Sequence, residues 1–124
     1  DGPPPGYKWN VAILEVSYSE ASEFLDPDQY AHMASLVREL ARQDDATHSK
    51  TIDVRPVQEF FEIRDKGGIL GKKNVRVFYF VEKRSRSIVI LGAFKKEAEG
   101  ATPVGVRLRM RRRMRLYMEK HFPQ

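Results

Sequence analysis

The chain has 124 residues, 41% of them hydrophobic, which suits one modest core and one domain. It has no cysteine, which excludes disulfides, thiolate chemistry and Cys-based zinc sites, and no apolar run near the ~20 residues a membrane-spanning helix needs. Residues 1–65 hold 6 Lys and Arg against 13 Asp and Glu, a net of −7, while residues 66–124 hold 16 against 4, a net of +12, so the second half suits a polyanion.

Residues 1–6 (DGPPPG) support neither helix nor sheet ladder, so residues 1–8 read as a tail and 9–124 as a single domain. Residues 9–18 (WNVAILEVSY), β-branched and aromatic, predict a first strand. Ser19 or Ser22 can cap a short helical turn. Asp26 then caps a longer helix with Pro27 at its first position. Tyr30, Met33, Leu36, Val37 and Leu40 give that helix one buried stripe, to about Arg42. Residues 44–50 read as a polar loop, and 51–54 as a possible short strand.

A β-meander follows. Residues 57–64 (VQEFFEIR) predict one strand. Residues 75–81 (VRVFYFV), the most apolar, predict a central strand covered on both faces. Residues 87–94 (SIVILGAF) predict its neighbour, joined by a charged hairpin turn at 82–86. Residues 65–74 (DKGGILGKKN) read as a flexible basic loop. Their glycines lack the spacing of a phosphate-binding loop and no helix follows. The last element is a helix over residues 103–121. Val106, Met110, Met114 and Tyr117 form its apolar stripe and arginines cover its other faces. The expected class is α+β: a small antiparallel β-meander sheet with an N-terminal strand, one or two helices packed on one face, and a C-terminal basic helix.

Cations recur around the meander: Arg64, Lys72, Lys73, Arg76, Lys95 and Lys96. Neighbouring strands lie about 4.8 Å apart, so these groups can converge on one face or edge. Arg76 sits inside an apolar strand. It therefore needs Glu59 or Glu62 as a partner, an exposed face, or an anion from outside. Arg111, Arg112 and Arg113 suggest phosphate contact from the last helix, with a solvated face and an acidic-protein docking surface as the other readings. His32, His48 and His121 stand far apart, without ligand spacing, and read as surface residues. No metal or cofactor is expected.

The run Glu62-Ile63-Arg64, Lys72-Lys73, Arg76-Val77-Phe78-Tyr79-Phe80, then Ile88 to Phe94, Lys95-Lys96 and Thr102-Pro103 resembles the RelE/HigB superfamily of bacterial toxins, especially its phage-derived HigB-like branch. The resemblance spans about residues 57–121. It implies a curved antiparallel sheet backed by helices, a cytoplasmic toxin with no membrane attachment, and a cognate antitoxin that is acidic or of helix-turn-helix type. It also implies that mRNA is cut on the ribosome by attack of a ribose 2′-OH on the adjacent phosphate. Arg76 then resembles the arginine that contacts the scissile phosphate. Lys95 or Lys96 resembles the cation after the last strand, and Arg64, Lys72 and Lys73 would orient substrate. Tyr79 or Tyr117 would be the tyrosine that stacks on a base. A ParE-like toxin that blocks gyrase without catalysis, and a non-enzymatic nucleic-acid-binding module, are the alternatives.

Overall fold

The structure is a computed structural model that describes residues 2–97 and 100–124. Asp1, the start of the expected tail, lies outside the described residues. The elements are β1 (Asn10–Ile13), α1 (Glu15–Phe24), α2 (Pro27–Ala41), β2 (Val54–Val57), β3 (Phe60–Lys66), a 3₁₀ turn (Gly68–Leu70), β4 (Asn74–Glu82), β5 (Ser87–Lys96) and α3 (Val104–His121). The strands form one sheet in the order β1-β5-β4-β3-β2. β2 to β5 make the antiparallel meander, and β1 lies parallel to β5. The class is α+β, as the sequence predicts.

Local chemistry explains most boundaries. Asp26 accepts the Gln29 N–H at 2.8 Å, and the Gln29 side chain accepts the Asp26 N–H at 3.1 Å. This reciprocal cap starts α2, with Pro27 behind it. The β4–β5 turn is held by Glu82, whose carboxylate accepts the Ser85 N–H at 2.9 Å. Pro56 is tolerated in β2 because β2 is an edge strand.

The first strand is much shorter than the sequence suggests. It stops at Ile13, and residues 15–24 are helical. Val16 and Tyr18, which carry the strand-like signal, point to solvent, while small Ser17 and Ala21 face inward. The reason is tertiary. β1 covers the edge of β5 only as far as Ile90, and α1 then takes over that edge, with Glu20 accepting the Ala93 N–H at 3.2 Å.

Both faces of the sheet are covered. On one side α1 and α2 bury Met33, Val37 and Leu40 against Ile63, Val77 and Ile88. On the other, α3 buries Val106 and Met110 against Phe60, Phe78 and Leu91. The β4–β5 register slips between Phe78 and Tyr79, because Phe78 pairs with Gly92 and Tyr79 with Ile90. The extra residue is Leu91. This bulge turns both Leu91 and Gly92 toward α3. No helix of the described residues is long and apolar enough to cross a membrane.

Candidate polyanion-binding site

Strand register decides which cations can meet, because cross-strand partners share a face. Arg64 pairs with Arg76, and Arg76 with Phe94. The next row is Lys66, Asn74 and Lys96. Both rows face the α3 side, as does Arg55, which pairs with Glu62 across β2 and β3. Lys95 stands in the alternate row with Asp65 and Val75, on the side of α1 and α2. Lys95 and Lys96 are adjacent on one strand, so only Lys96 shares the arginines' face, and it does not line the hollow described below.

Arg76 is fully buried, with 0% exposure, and Glu62 is 1% exposed. Glu62 Oε1 accepts from Arg64 Nε at 3.1 Å and Arg64 Nη2 at 2.8 Å. Glu62 Oε2 accepts from the Thr102 hydroxyl at 3.0 Å and lies 3.7 Å from Arg76 Nε. Arg76 Nη1 donates to Thr102 Oγ1 at 2.9 Å, and Nη2 to the Gly100 carbonyl at 2.7 Å. Two arginines thus share one carboxylate, and Thr102 ties the group to the start of α3. Of the partners open to Arg76 in the sequence, the structure selects Glu62. Glu59 instead lies 3.1 Å from Arg111 Nε.

In front of this network lies a polar hollow of about 220 Å³. Arg55, Arg64 and Lys66 line it with Asp53, Asp65 and Asn74, and Arg76 forms its floor. Asp65 is held from behind, 2.6 Å from His32 Nε2 on α2. His32 keeps a side chain one-third exposed, and its pairing with a carboxylate is what the sequence does not suggest. The two residues are 33 positions apart, and only the packing of α2 on β3 joins them. A larger cavity of about 260 Å³ lies between β1, α1 and α2, but its lining is almost wholly apolar and includes none of the expected site residues.

The basic loop at 65–74 is clamped rather than free. Leu70 is buried in the core under α2. Gln29 Nε2 donates to the Ile69 carbonyl at 3.1 Å, and Lys73 Nζ donates to Gln29 Oε1 at 2.6 Å. The capping glutamine of α2 thereby fixes Lys73 on the α2 side, while Lys72 stays exposed beside it. Gly67, Gly68 and Gly71 all have positive φ, which permits the tight turn. Neither lysine reaches the hollow.

The remaining expected residues are spread out. Tyr79 is wholly buried, stacked on Phe61, and its hydroxyl donates to the Ala46 carbonyl at 2.6 Å. Burial pushes that phenol far above its usual range. It is a core residue. Tyr117 is half-buried, edge-on to Phe80 with centroids 5.8 Å apart and 4.2 Å from the His121 ring. Arg113 also faces inward. Its Nη1 and Nη2 each donate to Glu20 at 2.8 Å, and Nη1 donates to the Leu91 carbonyl at 2.9 Å. Of the arginine triplet only Arg112 is exposed on the surface. Sequence inspection missed Glu20 because it lies 93 residues from Arg113.

Among the described residues no group of three or more His, Asp or Glu could hold a metal ion. What the hollow can do is receive an anion. It offers guanidinium and ammonium groups at its rim, an Asp53 carboxylate that takes Arg55 Nε and Nη2 at 2.9 and 3.3 Å, the Asp65 carboxylate at its edge with His32 behind it, and a buried positive floor.

No family model and no curated protein matches the chain. Solved structures do. One chain of the crystal structure of the toxin–antitoxin complex RelBE2 from Mycobacterium tuberculosis aligns with a TM-score of 0.52 and 15% identity, over 71% of this chain and 98% of that one. The likeness is one of fold: this chain is built like a chain of that complex.

Proposed function

We propose that the chain is a toxin of a toxin–antitoxin pair, and that it is a ribosome-dependent mRNA endoribonuclease. Its catalytic surface is the hollow at the ends of β3 and β4. The observation that carries the reading is the gathering of Arg55, Arg64 and Lys66 around one opening, which Asp65 meets at its rim from the α2 side of β3, in a fold shared with a chain of a toxin–antitoxin complex.

Cleavage by the ribose 2′-OH needs a base, a counter-charge for the phosphorane and support for the leaving 5′-oxygen. Asp65, which reaches the rim of the hollow from the α2 side where His32 holds its carboxylate, takes the 2′-OH proton. The O2′–P bond forms and the P–O5′ bond breaks, leaving a 2′,3′-cyclic phosphate and a 5′-oxyanion that takes a proton from water to become the 5′-hydroxyl. Arg64 gives Nε and Nη2 to Glu62, which leaves Nη1 for the phosphate. Lys66 and Arg55 stand at the rim beside the equatorial and leaving oxygens, with Arg55 Nε and Nη2 already given to Asp53. Arg76 touches no substrate. It offsets the buried Glu62 and so positions Arg64. A hollow of about 220 Å³ takes roughly one nucleotide's backbone. The rest of the RNA must be positioned by whatever presents it, which is why ribosome-held mRNA is the substrate proposed. The antitoxin partner belongs to the same reading.

The test is cleavage of mRNA on translating ribosomes by purified protein. Asp65→Asn and Arg64→Gln should each lower the rate by about 10²-fold or more, with circular dichroism recorded on both because Arg64 also binds buried Glu62. Growth arrest with intact mRNA sinks the nuclease.

One observation favours a second reading, a toxin of the same fold that binds without cutting. Arg76, which the resemblance assigns to the scissile phosphate, is sealed beneath Glu62 and Thr102. Inhibition of gyrase supercoiling at stoichiometric protein, with mRNA untouched, would establish it.

A further inference from the structure

The cavity between β1, α1 and α2 has no part in the ribonuclease reading. It exists because small side chains meet there: α1 turns Ser17 and Ala21 inward, and Ala34 of α2 and Ala93 of β5 line the same space. Val77 and Ile90 form its floor, and the space enclosed is about 260 Å³. A dry cavity of about 150 Å³ holds a six-carbon ring, so this one has room for roughly ten carbons. It opens beside β1, where Val11 and Ile13 of the lining are 37% and 51% exposed.

Three polar groups interrupt this apolar wall, and none has a side-chain partner among the described residues. Ser17 is 3% exposed, yet its hydroxyl makes no hydrogen bond among them. A buried polar group normally finds a partner. The Tyr30 hydroxyl makes no such bond either. Burial, and then Tyr18 with its ring 5.3 Å away, hold that phenol above its usual range, so it stays a donor. Arg38 is the one charged group in the lining, and it forms no ion pair among the described residues. Tyr30, Ala34 and Arg38 stand at i, i+4 spacing on α2, so the phenol and the guanidinium lie along one wall.

We infer that this cavity binds a small amphipathic monoanion, with an apolar body of about ten carbons that ends in a carboxylate. The body lies against Val77 and Ile90. The carboxylate sits at the mouth, where Arg38 grips both oxygens and Tyr30 donates. Ser17 offers a donor to an oxygen that the ligand carries inside. An apolar pocket with a few placed polar groups is the ordinary form of a small-molecule site. Charge selects the ligand's sign. Residues 1–65 are acidic overall, yet no acidic side chain lines this cavity and its one charge is positive. This inference goes beyond the ribonuclease reading and does not rest on it, and its test contains no nuclease assay.

Titration calorimetry of the full chain with decanoate, held below the concentration at which it forms micelles, is the test. Decanoate should saturate a single site. Hexanoate should bind at least about fiftyfold more weakly, since each buried methylene is worth about fourfold. Decylamine, with the same chain and the opposite charge, should bind at least about tenfold more weakly. Arg38→Glu should reverse the order of decanoate and decylamine, and because Arg38 is exposed, circular dichroism should stay unchanged. Ala21→Leu fills the cavity and Ala34→Phe blocks it from a half-buried position, and each should weaken decanoate at least about tenfold. If Ala21→Leu does not fold, Ala34→Phe decides. The inference is overturned if decanoate shows no saturable site, if decylamine binds as well as decanoate, or if Ala34→Phe binds decanoate like the wild type. It is also overturned if the chain is a dimer that Ile13→Ser dissociates and decanoate binds neither form, which would make the cavity the seat of a second copy.

Discussion

The two faces of the sheet are held by different physics. Under α1 and α2 the core is a continuous apolar layer, with Met33, Val37 and Leu40 set against Ile63, Val77 and Ile88. Under α3 the apolar layer is smaller and flanked by two charged networks. At one end Glu62 joins Arg64, Arg76 and Thr102. At the other Glu20 joins Arg113 and the bare edge of β5. An apolar layer tolerates small shifts, since contacts are non-directional. A buried carboxylate between guanidiniums does not, because each group left alone is an uncompensated charge. The α3 face is therefore the more specifically assembled of the two and the more vulnerable to single changes. It also carries the hollow assigned to RNA. Charge there has two tasks, fixing α3 and presenting Arg64, and Glu62 links them.

The largest expected effect breaks that link. Glu62→Ala removes the carboxylate beneath two arginines and should destabilise the chain by about 3–5 kcal/mol. Arg76→Ala should cost a similar amount by stranding Glu62 and Thr102. Glu62→Met combined with Arg76→Met should cost clearly less than either alanine variant, since exchanging a buried pair for apolar groups of like volume is often near neutral. Urea denaturation of the four proteins measures this. Equal losses in single and double variants would show that packing, not charge, dominates the face. A growth-arrest assay of Arg76→Ala cannot by itself report on chemistry, because loss of fold and loss of function give the same result. Asp65→Asn is the informative variant, and Arg64→Gln, which takes two donors from buried Glu62, is read only beside its own urea curve.

This contrast also marks what was legible beforehand. The Asp26 cap, the apolar run of β4 and the stripe Val106, Met110, Met114 and Tyr117 are local signals, and the structure follows them. The α2 side is readable for the same reason: its core residues recur at fixed helical spacing. The charged side is built from pairs distant in sequence. Arg76 and Glu62 meet only once β3 and β4 are in register, His32 and Asp65 only once α2 lies on the sheet, and Glu20 and Arg113 only once both helices reach the same strand edge. No periodicity encodes such meetings. The cations after the last strand show the limit most simply. Lys95 and Lys96 are neighbours of equal charge, and only the pairing of β4 with β5 sends them to opposite faces. The early end of β1 was hidden because Val16 and Tyr18 mimic a strand while standing outside the core.

A smaller effect probes how closely α3 approaches the sheet. A Cβ on Gly92 would lie 2.5 Å from Met110 Cε, 2.6 Å from Met110 Sδ and 2.7 Å from Arg113 Nη1. Met110 can bend, but Arg113 is pinned by Glu20 and the Leu91 carbonyl. Gly92→Ala should therefore cost about 1–3 kcal/mol through overpacking. Combined with Met110→Ala it should cost less than the sum of the two, because the second change vacates the crowded space. Strict additivity would mean that α3 simply moves outward.

The subtlest difference between the faces is their response to acid. Burial tends to raise the Glu20 pKa, but the hydrogen bonds from Arg113 and the Ala93 N–H and the attraction of Arg113 and Arg109 outweigh it, so the carboxyl titrates below its usual range. A carboxyl depressed in the folded chain adds stability above its unfolded value, near 4.5, and that contribution is lost as pH falls through the folded value. Glu20→Gln should accordingly be less stable than wild type at pH 7, with the gap closing below about pH 4.5 as the wild-type carboxylate takes up its proton. Thermal melts of both proteins across that range measure the gap. Leu40→Ala, on the apolar face, should open a gap that stays constant over the same range, because no proton is bound or released at that site. If the Glu20→Gln gap is equally constant, then the shape of the residue, not its charge, holds α1 against α3, and the two faces obey the same physics after all.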